Sequence, residues 1–315
     1  MKQEIVGNYT APLWFGAPKE SYEEQYMSIV QETFEYGIRE ENSRTGEVTH
    51  RLPHREIKVA VCRDGIPYLQ SKQSDFGWPI REIMWIMQQQ SSNTDDLGID
   101  IWDKWTDPVT HEIGCAYGAI VKMYKQMDTL IDKIKNDPTD RGMVINLWDC
   151  RNLDKMNLRP CCYASTWSVI NGYLNCHLTQ RSADLMVGVP YNSVQYCALM
   201  IFLAKVCGLK PGLFTQTLVD AHIYDCQFEN TRVQIDRWSV IQGIKEGTLK
   251  DLTKSELDII KCQDMTFEEI KEVINTKPVV YLNSELNDFY KINDKVDIRR
   301  DNYKSLGKLN FKVVK

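Results

Sequence analysis

Apolar residues recur at two intervals along this chain, and the switches between them mark its expected elements. After an irregular arm over residues 1–20, Ser21-Tyr-Glu-Glu24 has the form of a capping box. Tyr26, Ile29, Val30 and Phe34 then recur at helical spacing. Polar residues 39–46 read as a loop and Ile57 to Val61 as a strand. Pro79 suits the first position of a helix running to about Gln90, with Glu82 set among Ile83, Met84, Trp85, Ile86 and Met87. A second long helix is expected from about Ala119 to Lys135, stopped by Asn136-Asp137-Pro138. Met143 to Trp148, Tyr163 to Ile170 and Tyr173 to Gln180 read as strands, and Asn171-Gly172 between the last two is a hairpin signal. Residues 192–207 are apolar on nearly every side, which marks a buried helix. Phe214 to Val219 reads as a further strand. Residues 238–276 are polar, with a second capping box at Thr266-Phe-Glu-Glu269, and read as an insertion with short helices. Helices mixed with mostly hairpin-linked strands predict an α+β fold around one large sheet, in a single domain spanning 1–315.

Composition narrows the function. A net charge of −5 offers no basic footprint for a nucleic-acid partner. The longest strongly apolar run, Cys197 to Ala204, is far short of the roughly 18 residues of a membrane span. The first residues lack the apolar core of a signal peptide, so a soluble cytoplasmic protein is expected. Ten cysteines form no CxxC pair, and the five histidines do not combine with them at zinc-ligand spacing. No metal is expected, and in that compartment no disulfide framework.

The segment Leu158 to Tyr224 gathers a soft nucleophile, a guanidinium, carboxylates, an amide, an imidazole and a phenol within an apolar framework. Cys161 is the lead nucleophile, because a thiolate attacks electron-poor carbon well; the alternative is a buried core cysteine, and Cys162 beside it favours that. Arg181 with Ser182 suits a phosphate, or Arg181 pairs with Asp184. Arg44 and Arg141 sit in loops, where phosphate binders are common and solvated arginines more so. Glu82, among apolar neighbours, is a candidate acid/base with a raised pKa, or lies on the exposed stripe of its helix. Asn192 can read both a donor and an acceptor on a base edge, or cap a helix. Trp102 and Trp105 suit stacking on a ring or packing in the core. His222 and Tyr224, two apart, share a face of an extended segment and suit a sugar, or each other.

Taken together these motifs resemble the thymidylate synthase family. The resemblance runs through Arg44-Thr-Gly46, Ile80-Arg-Glu82, Ile101-Trp-Asp-Lys-Trp105 and Ala116-Tyr-Gly118. It continues through Lys135-Asn-Asp-Pro138, Arg141, Leu147-Trp148, Leu153-Asp-Lys-Met156 and Leu158-Arg-Pro-Cys161. Gln180-Arg-Ser-Ala-Asp184, Gly188-Val-Pro-Tyr-Asn192 and Asp220-Ala-His-Ile-Tyr224 complete it. The resemblance implies a large mixed sheet packed by helices and a sheet-to-sheet homodimer in which Arg141 crosses to the partner's site. It also implies transfer of one carbon from 5,10-methylenetetrahydrofolate to C5 of dUMP, giving dTMP and dihydrofolate. On that resemblance Cys161 is the nucleophile, Glu82 and Tyr117 organise proton transfer, and Arg181 helps keep Cys161 ionised. Arg44, Arg141, Arg181 and Ser182 would hold the phosphate, Asn192 the uracil, and His222 and Tyr224 the 3′-hydroxyl. Lys72, Trp102, Trp105, Asp184, Gly188 and Tyr191 would surround the folate.

Departures from the family pattern keep a rival open. Cys162 stands where a histidine is usual, Gly142 replaces the second arginine of a pair, and Gln70-Ser71 replaces Thr-Thr before Lys72. Gln73 replaces a basic residue, Leu218-Val219 a Gly-Gly pair, and Lys315 a small apolar terminus. A loosely closed folate site would let water trap the methylene intermediate, as in the related nucleotide 5-hydroxymethylases acting on dUMP, dCMP or CMP. Retention of Trp102 and Trp105 argues for methylation, and Asn192 for uracil.

Overall fold

One long strand, Lys210–Tyr224, pairs with three other strands and so sets the frame for everything else. The computed structural model describes residues 2–43 and 45–314; Arg44 and Lys315, both singled out from the sequence, lie outside them. The strands are β1 Gln3–Val6, β2 Ile38–Glu41, β3 Val48–Ala60, β4 Val144–Asn146, β5 Cys162–Ile170, β6 Tyr173–Gln180, β7 Ala183–Asp184, β8 Lys210–Tyr224, β9 Val279–Asn283 and β10 Ile298–Asp301. The helices are α1 Tyr22–Tyr36, α2 Val61–Asp64, α3 Gly77–Met84, α4 Thr94–Leu97, α5 Gly118–Met123, α6 Gln126–Asn136, α7 Gly188–Val206, α8 Phe228–Lys245, α9 Lys254–Ile259 and α10 Phe267–Asn275.

The large sheet runs β2-β3-β8-β6-β5-β4, with β7 also on β8. It is mixed: β8 pairs antiparallel with β3 and parallel with β6. A parallel pair needs a long crossover, and α7 supplies it. This helix is buried along almost its whole length, against the sheet on one side and α3 on the other. The fold is therefore α+β, a large mixed sheet packed by helices. A separate small sheet, β1-β9-β10, joins the first residues to the last strands.

Several boundaries differ from the sequence reading, each for a physical reason. Gln3–Val6, expected as part of an irregular arm, is ordered by pairing with β9. β3 and β8 extend well beyond the short apolar runs that signalled them, because their polar ends still satisfy one another's backbone across the ladder. The helix expected over 119–135 breaks into α5 and α6 at Lys125, which takes a left-handed conformation (φ 50°). Pro79 lies two residues further into α3 than expected, and the helix passes into a π-helical turn over Trp85–Gln89. The hairpin turn forms as expected, with Asn171 and Gly172 both at positive φ. α8 runs unbroken through residue 238. Beyond it, Thr253 and Thr266 cap α9 and α10 with full capping boxes.

Two buried groups fasten residues 260–276 to the rest. Gln70 Nε2 donates to the carbonyls of Val273 (2.6 Å), Ile274 and Thr276, while its N–H and that of Ser71 donate to buried Glu23. Arg237, almost fully buried, donates to the carbonyls of Ile260, Lys261, Ser71 and Gly307. The departures at Gln70 and Ser71 thus serve internal attachment.

Candidate active site

Packing of α3 on α7 brings Glu82 into the interior, where only 8% of its surface is exposed. Its Oε1 accepts from the Trp102 indole N–H at 2.8 Å and its Oε2 from Gln195 Nε2 at 3.0 Å. Burial pushes its pKa up to about 7, and these donors oppose the rise. The exposed-stripe alternative for Glu82 is excluded by that burial. The Tyr191 hydroxyl interacts electrostatically with this carboxylate yet has no hydrogen-bond partner of good geometry.

Glu82 shares one small cavity, about 40 Å³, with Tyr117, Cys161, Cys162, Asn192 and Gln195. Cys161 is half-buried and sits just ahead of β5, whose register against β6 shifts between Cys162 and Ala164. That irregularity releases the chain from the ladder next to the thiol. Cys162 is fully buried, and burial pushes its thiol pKa well up. Burial keeps it in the thiol form, the less reactive state of a cysteine.

Arg181 enters at the end of β6. Its own N–H donates to the Cys161 carbonyl at 2.9 Å. The guanidinium donates from Nε to Pro160 O and from Nη2 to Arg159 O, both at 3.0 Å, and lies 5.1 Å over the Trp148 ring. A fixed cation thus stands beside the segment carrying Cys161, and Arg181 makes no ion pair with Asp184. Ser182 follows it, half-buried.

Tyr117 holds a backbone conformation rare for any side chain (φ 48°, ψ −109°), ahead of Gly118. Such strain costs on the order of 1–3 kcal/mol and persists only where the surroundings enforce it. Burial, with Cys161, Cys162 and Glu82 nearby, holds its phenol pKa well above the ordinary value.

Asn192 lies in the first turns of α7 and caps nothing. It accepts at Oδ1 from Gln180 Nε2 at 3.1 Å and donates from Nδ2 to Gln195 Oε1 at 2.8 Å. His222 and Tyr224 are neighbours on one face of β8, ring edge to ring face at 5.2 Å. The His222 ring contacts the Asp220 carbonyl through Nδ1 at 3.1 Å.

A second, larger cavity of about 480 Å³ has Tyr191 and Pro190 in its walls. Its walls include Lys72, Asp75, Trp78, Lys308, Asn310 and Phe311. Desolvation lowers the Lys72 pKa to about 7, with Asp184 partly offsetting it; its ammonium donates to the Met186 carbonyl and sits 4.5 Å from the Phe311 ring centroid. Asp184 accepts from the Met186 and Val187 N–H groups at 2.9 and 3.2 Å and from Gln227 Nε2, which shapes the turn into Gly188. Trp102 and Trp105 do not line this cavity. Trp102 is buried against Trp85, Trp105 and Tyr117 while it holds Glu82, and the Trp105 indole N–H is buried without a partner. Arg141 is exposed on the segment between α6 and β4, away from hydrogen-bonding contact with this chain's site.

Sequence reading missed the glutamines. Gln180, Gln195 and Gln216 are buried and hold the site's amides, and Gln227 holds Asp184. The available signal was Ser193 and Gln195, polar residues inside the most apolar helix of the chain.

The thymidylate synthase family model matches residues 24–280. The chain is 42% identical over 219 residues to the thymidylate synthase of Clostridium beijerinckii, covering 69% of this chain and 82% of that one. Its structure is similar to that of the thermostable thymidylate synthase A from Bacillus subtilis. That match has a TM-score of 0.75 at 26% identity and covers 93% of this chain and 99% of the other.

Proposed function

The chain belongs to the thymidylate synthase family, and from that premise we propose that it methylates C5 of dUMP to give dTMP. The observation that carries this reading is the convergence of Cys161, Glu82, Tyr117 and Asn192 on one cavity, with Glu82 at a pKa of about 7. Uracil C5 is a poor nucleophile until a thiolate adds to C6. Cys161 forms that bond, which makes C5 enolate-like, and leaves again when the double bond is restored. Arg181 stabilises the thiolate and, with Ser182, Arg44 and the partner subunit's Arg141, holds the phosphate. Asn192 reads O4 and N3–H, and His222 with Tyr224 binds the 3′-hydroxyl. Near pH 7 Glu82 can both take and return a proton, so with Tyr117 it serves the loss of the C5 proton.

The larger cavity fits the co-substrate by its chemistry: aromatic walls at Trp78, Tyr191 and Phe311, with the amines of Lys72 and Lys308 for an anionic tail. When bound, methylenetetrahydrofolate supplies the one-carbon unit and then the hydride that reduces it to methyl. Asp184 and Gly188 complete its surroundings on this reading, while Trp102 and Trp105 act from outside the cavity wall, Trp102 by holding Glu82. The rival 5-hydroxymethylase reading rests on the departures around this cavity, where Gln73 stands in the wall in place of a basic residue.

Turnover with methylenetetrahydrofolate and each of dUMP, dCMP, UMP and CMP, followed by mass analysis of the nucleotide, tests the proposal. A methyl gain on dUMP with dihydrofolate formed is expected. A gain of CH2O with tetrahydrofolate as the only folate product would replace methylation by hydroxymethylation.

A further inference from the structure

A chain of side-chain amides runs from Glu82 to β8, and its direction can be followed link by link. Gln195 donates to Glu82 Oε2 at 3.0 Å and accepts from Asn192 Nδ2 at 2.8 Å. Asn192 accepts from Gln180 Nε2 at 3.1 Å, and Gln180 Oε1 accepts from Gln216 Nε2 at 2.6 Å. Both ends are pinned. At one end Glu82 Oε2 takes the Gln195 N–H and, whenever the carboxyl is ionised, only accepts; at the other, the Ser182 carbonyl, which only accepts, takes Gln180 Nε2–H at 3.1 Å. With Glu82 ionised, neither glutamine can turn its amide over without setting oxygen against oxygen. Gln195 is 3% exposed, so bulk water does not reach it and a lost bond there is costly. Asn192 keeps one N–H and one lone pair for a ligand, in a fixed order.

We infer that Gln195 is a specificity-positioning residue: through Glu82 it locks the Asn192 amide in the sense that accepts uracil and rejects cytosine. Uracil offers a donor at N3 and an acceptor at O4, and cytosine offers the reverse. A flipped Asn192 would suit cytosine, but it would oppose both glutamines at once. The inference rests on the dUMP reading above and extends it to a residue that need not touch the nucleotide. Among the described residues, the titratable groups facing Glu82 from neighbouring elements are Tyr117, Tyr191, Tyr196, Cys161 and Cys162, with no cation among them.

The test measures Kd for dUMP and dCMP by calorimetry without folate, and the pH profile of kcat/KM, for the wild type, Gln195→Met and Gln195→Glu. Methionine keeps the volume and loses both hydrogen bonds, so the dUMP preference should fall about tenfold or more. A glutamate oxygen still accepts from Asn192 Nδ2, so Gln195→Glu should keep the preference within about threefold. The same variant should move the acid limb of the profile upward, because two carboxylates then compete for charge. An unchanged preference in Gln195→Met overturns the lock. If that variant does not fold, Gln195→Glu decides: a lost preference, or an unmoved acid limb, overturns it. If the wild type itself binds dCMP as tightly as dUMP, the substrate reading falls and the lock with it.

Discussion

Glu82 shows how far one buried carboxylate can bias a whole protein. Its folded pKa of about 7 lies above the ordinary 4.5. The folded chain therefore binds a proton that the unfolded chain has released, and its stability falls as pH rises through that interval. Across pH 4.5 to 7 the loss amounts to about 3 kcal/mol and then levels off. Urea unfolding of the wild type and Glu82→Gln at a series of pH values isolates this, since any fixed hydrogen-bond mismatch in the variant cancels from the slope. The gap between the two should move by about 3 kcal/mol in favour of Glu82→Gln. A gap that stays constant would show that Glu82 titrates normally. The sequence showed this carboxylate among apolar neighbours and left its side of the helix undecided, because a helix with apolar residues at most positions has no clear outward stripe. Only the packing of α3 on α7 decides it. Gln195 was invisible for the opposite reason: its meaning depends on partners 3 and 113 residues away.

At the scale of elements, close approach matters as much as periodicity. Gly118 opens α5 where a Cβ would lie 2.1 Å from the Ser91 carbonyl oxygen and 2.6 Å from its nitrogen, both backbone atoms. Gly118→Ala must push the 90–91 segment and strained Tyr117 apart. It should lower stability by about 1–3 kcal/mol, read as a lower Tm, and reduce kcat more than dUMP affinity. A variant with wild-type Tm and kcat would show that the two segments separate freely. The hairpin at Asn171-Gly172, the capping boxes and the buried α7 were legible because their signals are local. The break at Lys125 and the polar ends of β3 and β8 were not. The first depends on a single left-handed residue, the second on pairing partners remote in sequence.

At the scale of the molecule, Arg141 is exposed, as the proposed homodimer requires of a residue lent to a second subunit. On the proposed homodimer, a Cys161→Ser chain can still lend Arg141, and an Arg141→Ala chain keeps its own Cys161. Each alone should be nearly inactive. Refolded together in equal amounts, they should recover about a quarter of wild-type activity, since half the dimers are mixed and each holds one complete site. No recovery, with mixed dimers demonstrated, would place Arg141 in its own subunit's site, and an active Arg141→Ala chain would place it in none. The motif order made the fold and most of the candidate site legible, whereas the boundary of the proposed dimer is written in no local pattern of the chain.

The amide chain from Glu82 through Gln195, Asn192 and Gln180 to Gln216 also constrains how such a site can drift over generations. Each member satisfies a buried neighbour, so a single replacement strands a donor or an acceptor, and the effects of several replacements do not add. On the proposed base-reading role, replacing the Asn192 amide alone leaves Gln180 and Gln195 ordered for the pairing it had, so a lineage exchanging one pyrimidine for the other is expected to alter these neighbours as well.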